Sequence, residues 1–302
     1  MAIKKVTLVG ANGTLGPAIL HALLSAGTFT VTVLSRTSSK STYPPSVHVA
    51  RVSDDLPDDE LVQVLRGQDA IVVIFAGSNS DLQIRLADAA ARVGVQRFIP
   101  ADFGSCDSNS ARAVELIPLY QAKQKVRQHL EQLASDSSQS SSRLSWTSLV
   151  CGHFFDYGLK SGLLQFDIEA RKARILDGGE IKWSATTIET IATAVVRVLQ
   201  KEDETKNRML YIQSFCVTQN EVLKSLERVT GQSWQIENVD SDEYIREAKV
   251  RLDQRDPKAR VDLVSALGLV DANWEGKDDF ANLLLGLKTE DLDQVVRKVI
   301  VG

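Results

Sequence analysis

The chain has 302 residues, of which 43% are apolar and 25% charged, and 35 lysines and arginines against 39 aspartates and glutamates give a formal net charge of −4. Such a length and balance suit one large α/β domain or one domain with a smaller appendage and give no basic stripe for nucleic acid, while no apolar run approaches the ~20 residues that a membrane span needs. The first strand starts at Ile3, leaving no space for a signal peptide, and Cys106, Cys151 and Cys216 are isolated, so the expected setting is the cytoplasm with reduced thiols.

In chain order, the pattern predicts a strand over Val6–Val9, a glycine-rich turn, a helix over 17–26 and a strand over Thr30–Ser35. A short strand follows near His48–Arg51, then a helix over 58–66, a strand over Ala70–Ala76 that is apolar throughout, a helix over 81–93 and a strand over Arg97–Pro100. A helix from about Pro118 to Ala134 leads into the polar stretch 135–142, a surface loop by composition, and Ser145–Val150 resumes the sheet. Alternation of this kind implies right-handed βαβ units. The fold class is therefore α/β: a Rossmann-type, doubly wound parallel sheet over 1–154, followed by a smaller mixed α/β region over 155–302 that holds the substrate and returns some segments to the first domain. In that second part, Thr186-x-x-Glu189 and Thr218-x-x-Glu221 have capping-box spacing, and Asp240 to Arg260 reads as a solvated helix.

The turn Gly10-Ala11-Asn12-Gly13-Thr14-Leu15-Gly16 sits between strand and helix, where a phosphate is bound. The first glycine allows the sharp reversal, the second allows close approach to a pyrophosphate, and the third allows tight packing of helix on strand, with the helix N-terminus facing the anion. Gly10, Asn12, Gly13, Thr14, Leu15 and Gly16 are the expected contacts. An acid at the end of the second strand would hold the ribose hydroxyls of NAD; this chain has Leu34-Ser35-Arg36 there. Arg36, aided by Lys40, instead suits a 2′-phosphate, so NADP is expected over NAD.

On the helix from Pro118, Leu119, Val126, Leu130 and Leu133 form an apolar stripe at three- and four-residue steps, and Lys123 falls inside it. A lysine on a packed face is costly without a partner, and this helix should return beside the carboxyl edge of the sheet, where ligands bind. Tyr120 lies three residues before it, which is not the Tyr-x-x-x-Lys register of short-chain dehydrogenases and weighs against a sugar-nucleotide epimerase. Asp102 reads as a helix cap more than as a second acid. His153, just after a strand end, is a candidate for the pocket wall, whereas His129 lies on a polar face. Asp167, Glu169 and Asp177 show no metal-ligand grouping, so no metal is expected.

Together with the glycine turn, Arg97-Phe-Ile-Pro-Ala-Asp-Phe-Gly104, Ala122-Lys123-Gln-Lys-Val-Arg127-Gln-His-Leu-Glu131 and Trp146-Thr-Ser-Leu-Val-Cys-Gly-His-Phe154 occur in the order found in one family. On these motifs the chain resembles the isoflavone reductase-like group of the NmrA-like family of atypical short-chain dehydrogenases. The resemblance implies an NADPH-dependent reductase of a small, often aromatic, secondary metabolite. Lys123 would match the catalytic lysine, handling a proton or orienting the nicotinamide ribose. It further implies that Ala76, Gly77 and Ser78 border the adenosine half and linking phosphates. Phe103 and Phe154 would flank the nicotinamide and join Tyr120, His153 and Tyr157 around the substrate. Ala101-Asp102 stands where relatives commonly have Ser-Glu, and Gly152 near an asparagine position, which implies a ligand different from those of plant relatives. The alternative is a non-catalytic NADP(H)-binding redox sensor, which alone would need a protein partner. A homodimer is left open.

Overall fold

A computed structural model describes residues 2–75, 79–135 and 144–301. In chain order the elements are β1 (Lys5–Val9), α1 (Gly16–Ser25), β2 (Thr30–Arg36), β3 (His48–Val52), α2 (Asp58–Leu65), β4 (Ala70–Val73), α3 (Ser80–Val93), β5 (Arg97–Ile99), α4 (Ala111–Leu116), α5 (Pro118–Ser135) and β6 (Ser145–Val150). Then come β7 (His153–Phe154), α6 (Phe155–Lys160), β8 (Phe166–Asp167), β9 (Lys172–Leu176), β10 (Trp183–Thr186), α7 (Ile188–Gln200), β11 (Arg208–Tyr211), β12 (Phe215–Val217), α8 (Gln219–Thr230), β13 (Gln235–Val239), α9 (Ser241–Asp253), α10 (Ala259–Val270), α11 (Asn282–Leu285) and α12 (Leu292–Val301).

Two compact units emerge, and the chain passes between them repeatedly. The first comprises Met1–Asp102, Leu119–Leu149 and Ala192–Leu210; the second comprises Phe103–Pro118, Val150–Ile191 and Tyr211–Gly302. The first is built on a seven-stranded sheet of order β11-β6-β5-β4-β1-β2-β3, parallel from β6 through β3. Of its central strands, β4 is buried along its whole length and β1 from Val6 to Val9, as the apolar runs require. Strand order reverses between β1 and β4, and Val9 pairs with both Leu34 and Val73. The turn after β1 and the end of β2 therefore share one carboxyl edge, at the point where this fold class binds ligands. At the opposite edge of the sheet, Arg97 is buried at the start of β5. Its guanidinium donates to the hydroxyls of Ser145, Thr147 and Thr205 and to the Glu202 carbonyl, and burial lowers its pKa to about 10.

The second unit carries two three-stranded sheets, β12-β10-β7 and β13-β9-β8. Its helix starts show where local sequence logic succeeds and where it slips. Thr218 forms the full box: its Oγ1 accepts from Glu221 N at 3.1 Å and Glu221 Oε2 accepts from Thr218 N at 2.7 Å. Thr186, by contrast, is the last residue of β10 and donates its hydroxyl to the Cys151 carbonyl, while Thr187 caps α7 by accepting from Thr190 N at 3.2 Å. Asp240 caps α9, which buries Ile245 and Ala248 and ends at Asp253, so the expected solvated helix is shorter and half-packed. Short α4, capped by Ser110, is absent from the sequence reading because six residues are too few to show a period.

Candidate cofactor and active site

The turn after β1 closes on itself: Gly13 N donates to Gly10 O and Gly16 N to Gly13 O, each at 3.0 Å. Gly10 has φ +96°, and a Cβ there would lie 2.8 Å from Phe75 N; a Cβ on Gly16 would lie 2.2 Å from Ala11 O. Those two glycines are demanded by the chain's own backbone. Gly13 is not, since a Cβ there would meet nothing closer than Gly10 O at 3.4 Å. A glycine that the fold does not require, at the position where a pyrophosphate comes closest, fits a bound dinucleotide. The first turn of α1 fits as well, because Leu15 at its N-cap offers no side-chain acceptor and no acid lies in that turn.

A cavity of about 360 Å³ runs beside this turn, bordered by Gly10, Asn12, Arg36, Tyr43 and Asn79 among others. Arg36, exposed at the end of β2, is on its wall, whereas Lys40 is exposed outside it. Asn12 Nδ2 donates to Ser41 Oγ at 3.1 Å, and Asn79 caps α3 by accepting from Leu82 N at 3.2 Å. The expected strand 70–76 ends at Val73; Ile74 N still donates to Val9 O at 2.9 Å, Phe75 passes alongside Gly10, and Ala76, Gly77 and Ser78 lie outside the described residues.

Lys123 is 8% exposed on α5, and its Nζ donates to the main-chain carbonyl of Asp102 while lying 3.6 Å from Asp102 Oδ1. Asp102 follows β5 and caps no helix. Its Oδ2 accepts from the buried hydroxyl of Ser148 on β6. A buried ammonium is thus matched by a buried carboxylate, itself hydrogen-bonded, which is the condition for tolerating such a pair. The buried face of α5 is Tyr120, Lys123, Val126, Arg127 and Leu130, with Leu119 and Leu133 only half-buried. Tyr120 is 1% exposed with its ring centre 5.4 Å from Nζ, so it backs Lys123 and presents no wall to a ligand.

In the second unit, Phe103 is buried with φ +39°, an uncommon backbone region for a residue with a bulky side chain. Half-buried Phe154 precedes α6, and Tyr157 is 45% exposed beside a groove of about 580 Å³ that Leu163, Lys258 and Val261 also border.

The model of the NmrA-like family matches residues 2–254 of this sequence. The chain belongs to the NmrA-like family. The Oxidoreductase aprR of Aspergillus flavus is 34% identical over 302 residues, covering 99% of either chain. A crystal structure of isoflavone reductase superposes with a TM-score of 0.78 at 19% identity, covering 98% of this chain and 99% of that one. The structure of AtPrR2 with NADP+ and (+)pinoresinol gives 0.78 at 20% identity over 99% of both.

In this NmrA-like chain the sequence reading of His153 needs correction. The ring is 1% exposed, its Nε2 lies 3.0 Å from Ser265 O, Trp183 meets it edge-on at 6.0 Å, and Gly268 leaves it room. It belongs to the core and offers no surface to a ligand. Burial lowers its pKa from 6.5 to about 4, so it is neutral in the folded state and donates to that carbonyl. The unfolded chain binds the extra proton between those values, so stability is full above pH 6.5 and falls as pH drops toward 4. The His153 contribution reaches about 3 kcal/mol at the acid end. Denaturant unfolding at pH 7 and pH 4.5 should show a smaller loss for His153→Gln than for the parent; equal losses would refute the assignment. Asp102 as a lysine partner and Ser148 behind it escaped the sequence reading, since neither has a spacing signal to a lysine on α5.

Proposed function

We propose that this NmrA-like protein is an NADPH-dependent reductase acting on a small aromatic secondary metabolite that carries an enone, ketone or imine, with Lys123 assisting proton transfer. The observation that carries the reading is the buried, carboxylate-paired Lys123 in the same unit as a turn whose Gly13 is explained by a dinucleotide and not by the fold. The oxidoreductase name of the relative from Aspergillus flavus and the NADP+ held by AtPrR2 support it. NADPH, when bound, supplies a hydride.

The chain's own residues do the rest. Gly10, Asn12, Gly13, Thr14, Leu15 and Gly16 hold the diphosphate, and Arg36 with Lys40 selects the 2′-phosphate. Asp102 and Ser148 hold Lys123 so that its ammonium can give a proton or steady developing negative charge on the acceptor.

The test follows NADPH and NADH consumption with a panel of aryl enones, ketones and imines. Acceptor-dependent oxidation is expected with NADPH, and an Arg36→Ala variant should lose at least about tenfold of its preference over NADH. NADPH binding without oxidation by any acceptor would overturn the reductase reading and leave the sensor.

A further inference from the structure

Arg51 stands on β3 directly opposite Ser35, one strand away from Arg36. Its Nη1 lies within donating distance of three acceptors at the end of β2 and in the turn after it: Ser39 O at 2.8 Å, Arg36 O at 3.0 Å and Ser35 Oγ at 3.3 Å. Ser35, Arg36 and Ser39 all border the cavity beside the glycine turn. From the other side, Asp54 accepts from Ser38 N at 3.1 Å and from the Thr37 hydroxyl at 3.3 Å, and these hydrogen bonds hold its carboxyl below the usual range. The turn that follows Arg36 is therefore clamped between an arginine and an aspartate. Among the described residues no carboxylate pairs with Arg51, and its Nε and Nη2 have no hydrogen-bond partner.

We infer that Arg51 is a specificity-determining residue for the phosphorylated cofactor: it positions the end of β2 that carries Arg36 and adds a further positive charge, beside those of Arg36 and Lys40, to the 2′-phosphate subsite. The inference rests on the reading of Arg36 as the ligand of that phosphate. Two carbonyls, those of Arg36 and Ser39, sit at the rim of the subsite. Arg36 O also accepts from Ser39 N at 3.1 Å, but without the guanidinium the Ser39 carbonyl would turn a bare negative end toward a phosphate dianion. The guanidinium absorbs both and fixes the loop. Its uncommitted nitrogens keep their charge available to the anion, in the planar geometry that suits phosphate. A lysine that spent its single ammonium on these acceptors would have no second nitrogen left to face the anion.

Calorimetric Kd values for NADP+ and NAD+ test this on the parent, Arg51→Gln, Arg51→Lys and Arg36→Ala. In Arg51→Gln, NADP+ binding should weaken by about tenfold or more while NAD+ binding stays within about twofold, which also shows that the site is folded. Arg51→Lys should recover only part of the loss. An unchanged NADP+/NAD+ ratio in Arg51→Gln, with Arg36→Ala shifted, would overturn the role of Arg51 and leave that of Arg36. No shift in either variant would overturn both. Equal weakening for the two cofactors in Arg51→Gln would reduce Arg51 to a structural residue and overturn the inference as well.

Discussion

Lys123→Met is expected to lower kcat for NADPH-dependent reduction by about 10²–10⁴-fold, the range in which a positioned proton-transfer group contributes, while the Kd for NADP+ changes by about threefold or less. The fold complicates the interpretation of that loss. Removing the ammonium leaves the Asp102 carboxylate buried beside Ser148 without the cation 3.6 Å away, and breaking such a pair costs about 3–5 kcal/mol of stability. A dead Lys123→Met enzyme could then be merely an unfolded one. The double variant Lys123→Met/Asp102→Asn separates the two effects. Removing both charges restores most of the stability, as read by the denaturant midpoint, and turnover stays at the level of the single variant. Recovery of turnover in the double variant would show that Lys123 serves only to neutralise Asp102, and the proton role would fall.

The parts of the site that were legible in the sequence are those fixed by local chemistry. The glycine turn, the strand before it, the helix after it and Arg36 at the end of β2 are set by residues close in sequence, and each lies where the pattern puts it. Lys123 could be singled out because a charge on a helix's packed face breaks the period. What the sequence could not supply was pairing across long separations. Ser148 reaches Asp102 across 46 positions, Lys123 reaches it across 21, and Arg51 lies 15 from Arg36. The helix-cap reading of Asp102 failed for that reason: local rules favour a cap, and the buried lysine overrides them. His153 failed from the opposite direction. Its place after a strand end suggested a pocket, but Trp183, Ser265 and Gly268, all distant in sequence, enclose it.

Gly13 and Gly16 look equivalent in the motif and should behave in opposite ways when each becomes alanine. At Gly16 the added Cβ would sit 2.2 Å from Ala11 O and 2.3 Å from Ala11 C. Neither atom can rotate away, so the turn or α1 must shift; a loss of about 3 kcal/mol or more in stability is expected, visible without any cofactor. At Gly13 the same methyl meets Gly10 O at 3.4 Å and Ile74 O at 3.7 Å, ordinary contacts that need no rearrangement. Because alanine also reduces the freedom of the unfolded chain, Gly13→Ala should be as stable as the parent or up to about 1 kcal/mol more stable. Its NADP+ affinity should nevertheless drop by at least about a hundredfold, since the methyl takes the space of the diphosphate. A stable Gly13→Ala that binds NADP+ as the parent does would mean that the turn does not approach a diphosphate at Gly13. The reading of this edge of the sheet as the cofactor site would then fail at its first step. A Gly13→Ala variant that folds normally but has lost NADP+ would separate the glycine kept for the ligand from the glycine kept for the fold.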